Sequence, residues 1–295
     1  NLKLGILQDD PSANKLTELL RYQTSGRDDG VPISFEDYVS RMKENQQGIY
    51  YIAGENIESI FYSPCVEVCR EKGFEILFMT EPIDEYIVKR VKEYDGKKFI
   101  SLTADGFSVD CTDEEKERKQ KLEEEYSAMG KYIYTKVLSG KIHKVAISDR
   151  LKDSACIIVT DKNGTSANMD RVLKAQTLAQ KQNSNFTTKK TLEINPNHVI
   201  VQELLSRFTE NQEDPAFKEL VLLLHETALL TSGYHLENAP KYARRIENMI
   251  KLGLGLEEKA EADAETEEET ENEVGAENEA EGEAEEETEG DMENV

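Results

Sequence analysis

The sequence predicts a small α/β unit, then an α+β unit that ends in a pair of helices, and then an acidic tail. Three apolar segments, at residues 48–54, 74–80 and 97–103, alternate with helical stretches in the first part of the chain. Strand–helix–strand–helix–strand order is typical of a small parallel sheet covered by helices. We therefore assign residues 1–110 to an α/β unit.

Helices are expected between these strands. Ser34 is suited to the N-cap of a helix that begins at residue 35, with Asp37 at its third position. A second helix is predicted over 82–94, where apolar residues recur at helical spacing up to Tyr94. A short helix over 64–72 ends at a glycine.

The second unit begins after a charged segment. Residues 111–130 alternate acidic and basic side chains and become amphipathic only near their end, which predicts a solvated connecting helix. Residues 131–256 follow as an α+β domain, with strands expected at 143–148, 155–160 and 190–196 and helices at 166–180 and 197–208.

The last ordered stretch, residues 215–256, is predicted to form two helices. Gly233 ends the first and Pro240 suits the start of the second. The apolar stripe of the first helix is too wide to pack on one neighbour. Two readings stay open on pattern alone: two copies form a four-helix bundle across a dimer, or the pair packs on its own domain.

The charge is concentrated at the C-terminal end. Twenty acidic residues and one lysine lie in residues 257–295, so that segment carries −19 of the net charge of −24. It lacks aromatic residues and is expected to be disordered. The rest carries −5, which argues against a nucleic-acid partner, and the lack of a long apolar run argues against a membrane span. Four scattered cysteines favour a reducing compartment, and the start at Asn1 suggests a piece of a longer protein.

We find no catalytic constellation and expect no cofactor or metal on this chain. His225-Glu226 begins like a zinc-protease motif, but Leu229 occupies the position of the second histidine. Cys65 and Cys69 lie one helical turn apart without a second ligand pair, so helix packing is the favoured role. No phosphate-binding glycine motif is present.

Two features point to interactions. The helix over 166–180 carries Met169 and Leu173; a core-facing helix and a partly exposed, protein-contacting surface are the alternatives. The chain ends in Asp291 to Val295, either a fraying end or a peptide held through its terminal carboxylate.

Long stretches of the chain resemble the heat-shock protein 90 family of molecular chaperones. The matching segments are LGILQDD and ANKLTELLRYQTS within 4–25, EDYVSRMKENQQGIYYIAGE at 36–55, GFEILFMTEPIDEY at 73–86, SANMDRVLKAQ at 166–176, KKTLEINP at 189–196 and HETALLTSGYHL at 225–236. The resemblance implies the latter part of the family's middle domain followed by its C-terminal dimerisation domain.

The resemblance also implies a function. Family members are dimeric clamps that use ATP and magnesium to fold client proteins, but the nucleotide-binding domain and the region of its catalytic arginine are absent from this chain. We therefore expect a cytoplasmic chaperone fragment without ATPase activity of its own. A dimeric scaffold that lacks chaperone activity is the alternative; only a chaperone would slow the aggregation of another protein.

Residue roles follow from the resemblance. The dimer interface is expected at Leu220, Leu223, Leu224, Thr227, Leu230, Ile246 and Ile250. Client contacts are expected at Thr165, Met169 and Leu173, where Thr165 stands at a position that is commonly tryptophan in the family. Tetratricopeptide co-chaperones are expected to hold Met292, Glu293 and Val295, although the family's terminal Asp is missing here and Asn294 replaces a Glu.

Overall fold

The computed structural model describes residues 2–8, 11–27, 29–109, 112–161, 164, 166–180 and 189–255. The chain divides into a compact unit, residues 1–242, and a second unit that begins at Ala243. The predicted disordered tail lies outside the described residues. In the part of the chain that is described, no helix is both long enough and apolar enough to cross a lipid bilayer.

Helices and strands alternate through the first unit. The helices are α1 (Leu2–Gln8), α2 (Ala13–Glu18), α3 (Phe35–Ser40), α4 (Ile57–Phe61), α5 (Glu67–Glu71), α6 (Pro82–Val91), α7 (Asp113–Tyr132), α8 (Ala167–Gln180), α9 (Val199–Glu210), α10 (Pro215–Thr231) and α11 (Ala239–Gly253), the last of which continues into the second unit. The strands are β1 (Gln23–Thr24), β2 (Ile49–Ala53), β3 (Leu77–Met79), β4 (Glu93–Tyr94), β5 (Lys97–Ser101), β6 (Lys144–Ile147), β7 (Cys156–Thr160) and β8 (Lys190–Ile194).

The first sheet has the order β1-β3-β2-β5-β4. Its centre is parallel, as predicted: Tyr51 of β2 pairs with Leu77 of β3 on one side and with Ser101 of β5 on the other. The edge strands β1 and β4 are antiparallel to their neighbours, so the sheet as a whole is mixed and the predicted small parallel sheet is its centre. The sheet is mixed because β4 joins β5 through a tight turn at one side, while β1, far earlier in the chain, adds to β3 at the other.

Strand β2 explains how the sheet is buried on both faces. Successive side chains of a strand point to opposite faces. Ile49 and Tyr51 lie in a cluster with α1, α2, α3 and α6, whereas Tyr50 and Ile52 lie in a second cluster with α4, α5 and β7. A nearly continuous apolar strand is what a sheet covered on both faces requires.

Two helix boundaries test the predictions made from capping patterns. The cap of α3 is confirmed: the Asp37 N–H donates to Ser34 Oγ over 3.0 Å, and the Ser34 N–H donates back to the Asp37 carboxylate. The predicted end of α6 at Tyr94 is wrong. Lys92 has a φ of 63° and Tyr94 belongs to β4, because Asp95 and the glycine after it form a tight turn with positive φ.

The second sheet has the order β6-β8-β7, with β8 parallel to β6 and antiparallel to β7. Its first face carries Leu192, Ile194 and Ile158 and is covered by α7, α9 and α10. Its other face carries Ile157 and Val159, which share a cluster with the first sheet. The connecting helix α7 is confirmed as solvated at its start and buried only near its end, at Tyr126 and Met129.

The two sheets are also joined by backbone hydrogen bonds. Strand β7 continues against the segment that follows β5: Thr160 N–H donates to the Thr103 carbonyl over 3.1 Å, and Asp105 N–H donates to the Thr160 carbonyl over 2.6 Å. These bonds pair both backbone groups of Thr160, the last residue of β7. The α/β and α+β parts of residues 1–242 are therefore packed as one body.

Candidate functional site

Helix α10 carries apolar side chains on two sides. The buried side consists of Phe217, Val221, His225, Ala228 and Leu229. The outer side consists of Leu220, Leu223, Thr227 and Leu230. Three- and four-residue steps keep each set on one side of a helix. Leu230 is 44% exposed, and the others on the outer side are half-buried, as is Leu224, which lies between the two sides. Leu220 and Leu224 both pack against the core.

Thr227 lies on the outer side, but its hydroxyl needs no hydrogen-bond partner from outside the helix. Its Oγ1 donates to the Leu223 carbonyl over 2.8 Å, so the hydroxyl is satisfied within the helix. The methyl group remains available for apolar contact. The outer side of α10 therefore presents a mainly apolar stripe that the chain's own core covers at Leu220 and leaves largely uncovered from Leu223 to Leu230.

Helix α11 is described in full, and none of its side chains is buried. Of the two predicted interface residues on it, Ile246 is half-buried and Ile250 is 55% exposed. Met249, Leu252 and Leu254 are also exposed. A run of large apolar side chains open to water is a feature of surfaces that pack against another molecule.

Helix α8 is anchored at its first turn. The hydroxyl of Ser166 donates to the buried Glu85 carboxylate of α6 and accepts the N–H of Met169 over 3.2 Å. Burial raises the pKa of Glu85. An ion pair of 2.6 Å joins Arg171 to Glu55 farther along the helix.

These contacts of α8 fix how far the predicted client-contact residues are exposed. Met169 is 4% exposed, so the expectation that it lines an open surface does not hold for the described chain. Leu173 is half-buried and remains accessible. Thr165 and the tail residues Met292, Glu293 and Val295 lie outside the described residues. Contact of any of these with other proteins stays a prediction.

A buried ion pair joins the two sheets. Arg150 is fully buried, and its Nε and Nη2 donate to the two carboxylate oxygens of Glu193 over 2.8 and 2.9 Å. The same guanidinium donates to the carbonyls of Leu102 and Ala104, which follow β5 of the first sheet. Ser148 Oγ donates to Glu193 over 2.9 Å. The bidentate pairing satisfies a charge that would otherwise be costly to bury.

A second polar contact holds the same junction. The Glu67 carboxylate of α5 accepts backbone N–H groups of Lys152 and Asp153 over 2.6 and 3.0 Å. It also accepts the hydroxyl of Ser154 over 2.5 Å. The loop before β7 is thereby fixed to the first sheet's helices.

The histidine and cysteines singled out in the sequence are buried. His225 is 4% exposed, and neither ring nitrogen has a hydrogen-bond partner among the described residues. Burial, with smaller contributions from Lys141 and Lys190, lowers its pKa to about 4. Burial raises the pKa of Cys65 to about 11 and that of Cys69 to about 12, so both thiols stay protonated and their predicted packing role fits.

Sequence reasoning missed the Arg150–Glu193 pair. Arg150 lies in a polar turn with no motif around it, and its partner is 43 residues away. One signal was present: Glu193 stands within an apolar strand, and a carboxylate in such a strand is seldom buried without a partner.

Comparison with known proteins agrees with the quoted segments. A family model described as Hsp90 protein matches residues 1–285. Heat shock protein 83 of Leishmania donovani is 44% identical over 266 residues, which cover 89% of this chain and 58% of that relative. The chain thus spans less than two thirds of the length of this relative.

Proposed function

Because the chain belongs to the heat-shock protein 90 family, we propose that it is the dimerising and client-contacting part of an ATP-driven molecular chaperone. The observation that carries this proposal is that apolar side chains stay accessible on the outer side of α10 and, separately, on α11 in a member of that family. ATP and magnesium act in the full-length protein and are bound outside this chain. The purified chain alone is therefore expected to hydrolyse no ATP.

Dimerisation is supported by the two-sided character of α10. Its buried side is needed by the chain's own core, so its outer side is free to meet a second copy. Two-fold symmetry places the same side of both helices in contact, and α11 adds further apolar groups from each protomer. Leu220, Leu223, Leu224, Thr227, Leu230, Ile246 and Ile250 form the proposed interface.

Permanent dimerisation at this end of the molecule explains how the clamp closes. Two arms held together meet at an effective concentration far above that of separate chains, so closure at their other ends becomes intramolecular. The buried Arg150–Glu193 pair suits this task, because it makes the two sheets of each arm move together. A hinge at that junction would let the arms move without transmitting closure.

Client proteins are proposed to contact the surface around Leu173 of α8. The pattern of an accessible apolar residue beside an anchored helix turn supports this placement. Docking of tetratricopeptide co-chaperones on Met292, Glu293 and Val295, and a cytoplasmic location, are further parts of the proposal that rest on the family resemblance.

Aggregation of an unrelated heat-labile protein tests the chaperone role. Light scattering is followed on heating with and without an excess of the full chain. A chaperone slows the rise in scattering, whereas a dimeric scaffold leaves it unchanged, which would overturn the proposal. Leu173→Glu is expected to weaken the protection, and Leu19→Glu, at a 58% exposed leucine just after α2, serves as its control.

A further inference from the structure

Strand β6 is the open edge of the second sheet. In the described residues no strand pairs with it on the side opposite β8. The other edge strand, β7, pairs at Thr160 with the segment after β5, and the Ile158 N–H of β7 donates to Ser232 Oγ over 3.0 Å. An edge strand presents unpaired N–H and C=O groups to any chain that can lie beside it.

The register identifies these groups. Ser148 N–H donates to the Ile194 carbonyl over 2.9 Å, and Ile147 is the partner of Ile194 in the ladder. Backbone groups alternate in direction along a strand, so those of Ala146 also face β8. The N–H and C=O groups of Val145 and Ile147 therefore point away from the sheet. They offer two donors and two acceptors in line.

A cavity of about 350 Å³ lies along this edge. All four residues of β6 line it, and α7 with the helical turn that follows it lines the other side, from Glu123 through Tyr126 to Tyr134. Val145 and Ile147 point their side chains to the face covered by α7. Alternate side chains of a strand placed beside β6 would therefore enter this cavity, while its backbone reaches the free groups of β6.

The two ends of the cavity differ in charge. The chain reverses direction between α7 and β6, and Lys119 pairs with Asp149 over 2.5 Å, so the two elements run antiparallel. Glu123 therefore lies at the Ile147 end. Lys131 lies at the other end, beside Lys144. The described residues provide no ion-pair partner for the Lys131 ammonium, whereas that of Lys144 is held by an aspartate.

We infer that an extended peptide segment binds here by adding a strand to the sheet at β6. The fitting segment alternates apolar and polar residues, has an acidic residue beside Lys131 and has a basic residue beside Glu123. Backbone hydrogen bonds hold such a strand, and the cavity selects its alternate side chains. The inference deepens the proposed chaperone role, on which its biological meaning rests, by naming the substrate form: an unfolded, extended polypeptide.

Backbone N-methylation tests the inference with the unaltered full chain. The probe is a fluorescent nine-residue peptide of alternating valine and threonine with glutamate at one end and lysine at the other, made in both orders. The tighter-binding order is then N-methylated at either of its two alternate sets of residues. The set that faces β6 should weaken binding at least about fivefold through two lost hydrogen bonds, and the other set should leave it unchanged.

Equal effects of both sets, or no effect of either, would overturn the inference. So would the absence of any binding by the unmethylated peptides below about 1 mM. The charges and the apolar alternation of the peptide fix its direction and its face, so that one set alone can face the strand.

A protein variant supplies an independent measurement. Val145→Pro removes a donor that points away from β8, and proline is tolerated at such edge positions. It should weaken the peptide about 2- to 12-fold while thermal unfolding remains cooperative. Should the variant fail to fold, the methylated peptides still decide. If the chain slows aggregation but does not bind the peptides, this inference fails and the chaperone role stands. If the chain binds the peptides but does not slow aggregation, the chaperone role fails and this inference stands.

Discussion

Removing the buried guanidinium at the junction of the two sheets is expected to destabilise the chain strongly. Arg150→Met keeps much of the side-chain volume but leaves the Glu193 carboxylate buried, with Ser148 as its one remaining side-chain donor among the described residues. Taking one partner from a buried ion pair costs roughly 3–5 kcal/mol. The carbonyls of Leu102 and Ala104 lose their donors at the same time, which places the expected cost toward the upper end of that range.

A double variant separates the free-energy cost of the unpaired carboxylate from that of the unsatisfied carbonyls. In Arg150→Met with Glu193→Leu, no charge is left unpaired, and the remaining cost is that of the two carbonyls: about 1–3 kcal/mol for the buried Leu102 carbonyl and less for the half-buried Ala104 carbonyl. The double variant should therefore be more stable than Arg150→Met alone. Such a result gives a coupling energy of several kcal/mol in a double-mutant cycle.

Urea denaturation followed by far-ultraviolet circular dichroism provides the assay, since the chain contains no tryptophan. All variants are compared at one protein concentration, because association shifts apparent stability. A loss below about 1 kcal/mol for Arg150→Met would refute the reasoning. So would a double variant whose loss equals the sum of the two single losses.

Two further predictions concern the stability of the fold, and each compares a substitution with a control. The pKa of His225 is about 4 in the folded chain against 6.5 for an ordinary histidine, so between these values only the unfolded chain takes up the proton. Stability should fall as the pH drops through that window, by up to roughly 3 kcal/mol, and His225→Phe should remove this part of the acid sensitivity while His235→Gln, at an exposed position, should not. Gly48→Ala places a methyl group against the backbone of β5 and should cost about 1–3 kcal/mol, whereas Gly253→Ala, with open space around it, should cost nothing; thermal unfolding measures both.

Local patterns predicted local structure well. The central strands of the first sheet, the Ser34 cap and the late amphipathic part of α7 all follow from side chains within one or two turns of each other. The error at the end of α6 has the same origin. The helical spacing of apolar residues continues to Tyr94, but the chain leaves the helix after Val91. The Asp95–Gly96 turn lets Glu93 and Tyr94 pair with β5 as strand β4.

Long-range contacts could not be predicted in this way. Strand β8 enters between β6 and β7 although it follows both in the sequence. The burial of Met169 depends on the contact of Ser166 with Glu85, 81 residues away. The sequence showed that the apolar stripe of α10 is too wide for one neighbour. It could not show which of these residues are buried and which face outward, because that depends on the side of the helix that the sheet covers.

The solution mass of the full chain tests the dimeric clamp most directly. Ending the chain before Pro215 would also remove Phe217 and Val221 from the core, so substitutions on the outer side of α10 are the cleaner perturbation. Sedimentation velocity should give a dimer for the full chain and for the control Leu19→Glu. The combined variant Leu223→Glu and Leu230→Glu should give a folded monomer. A monomeric full chain, or a variant that stays dimeric, would contradict the account.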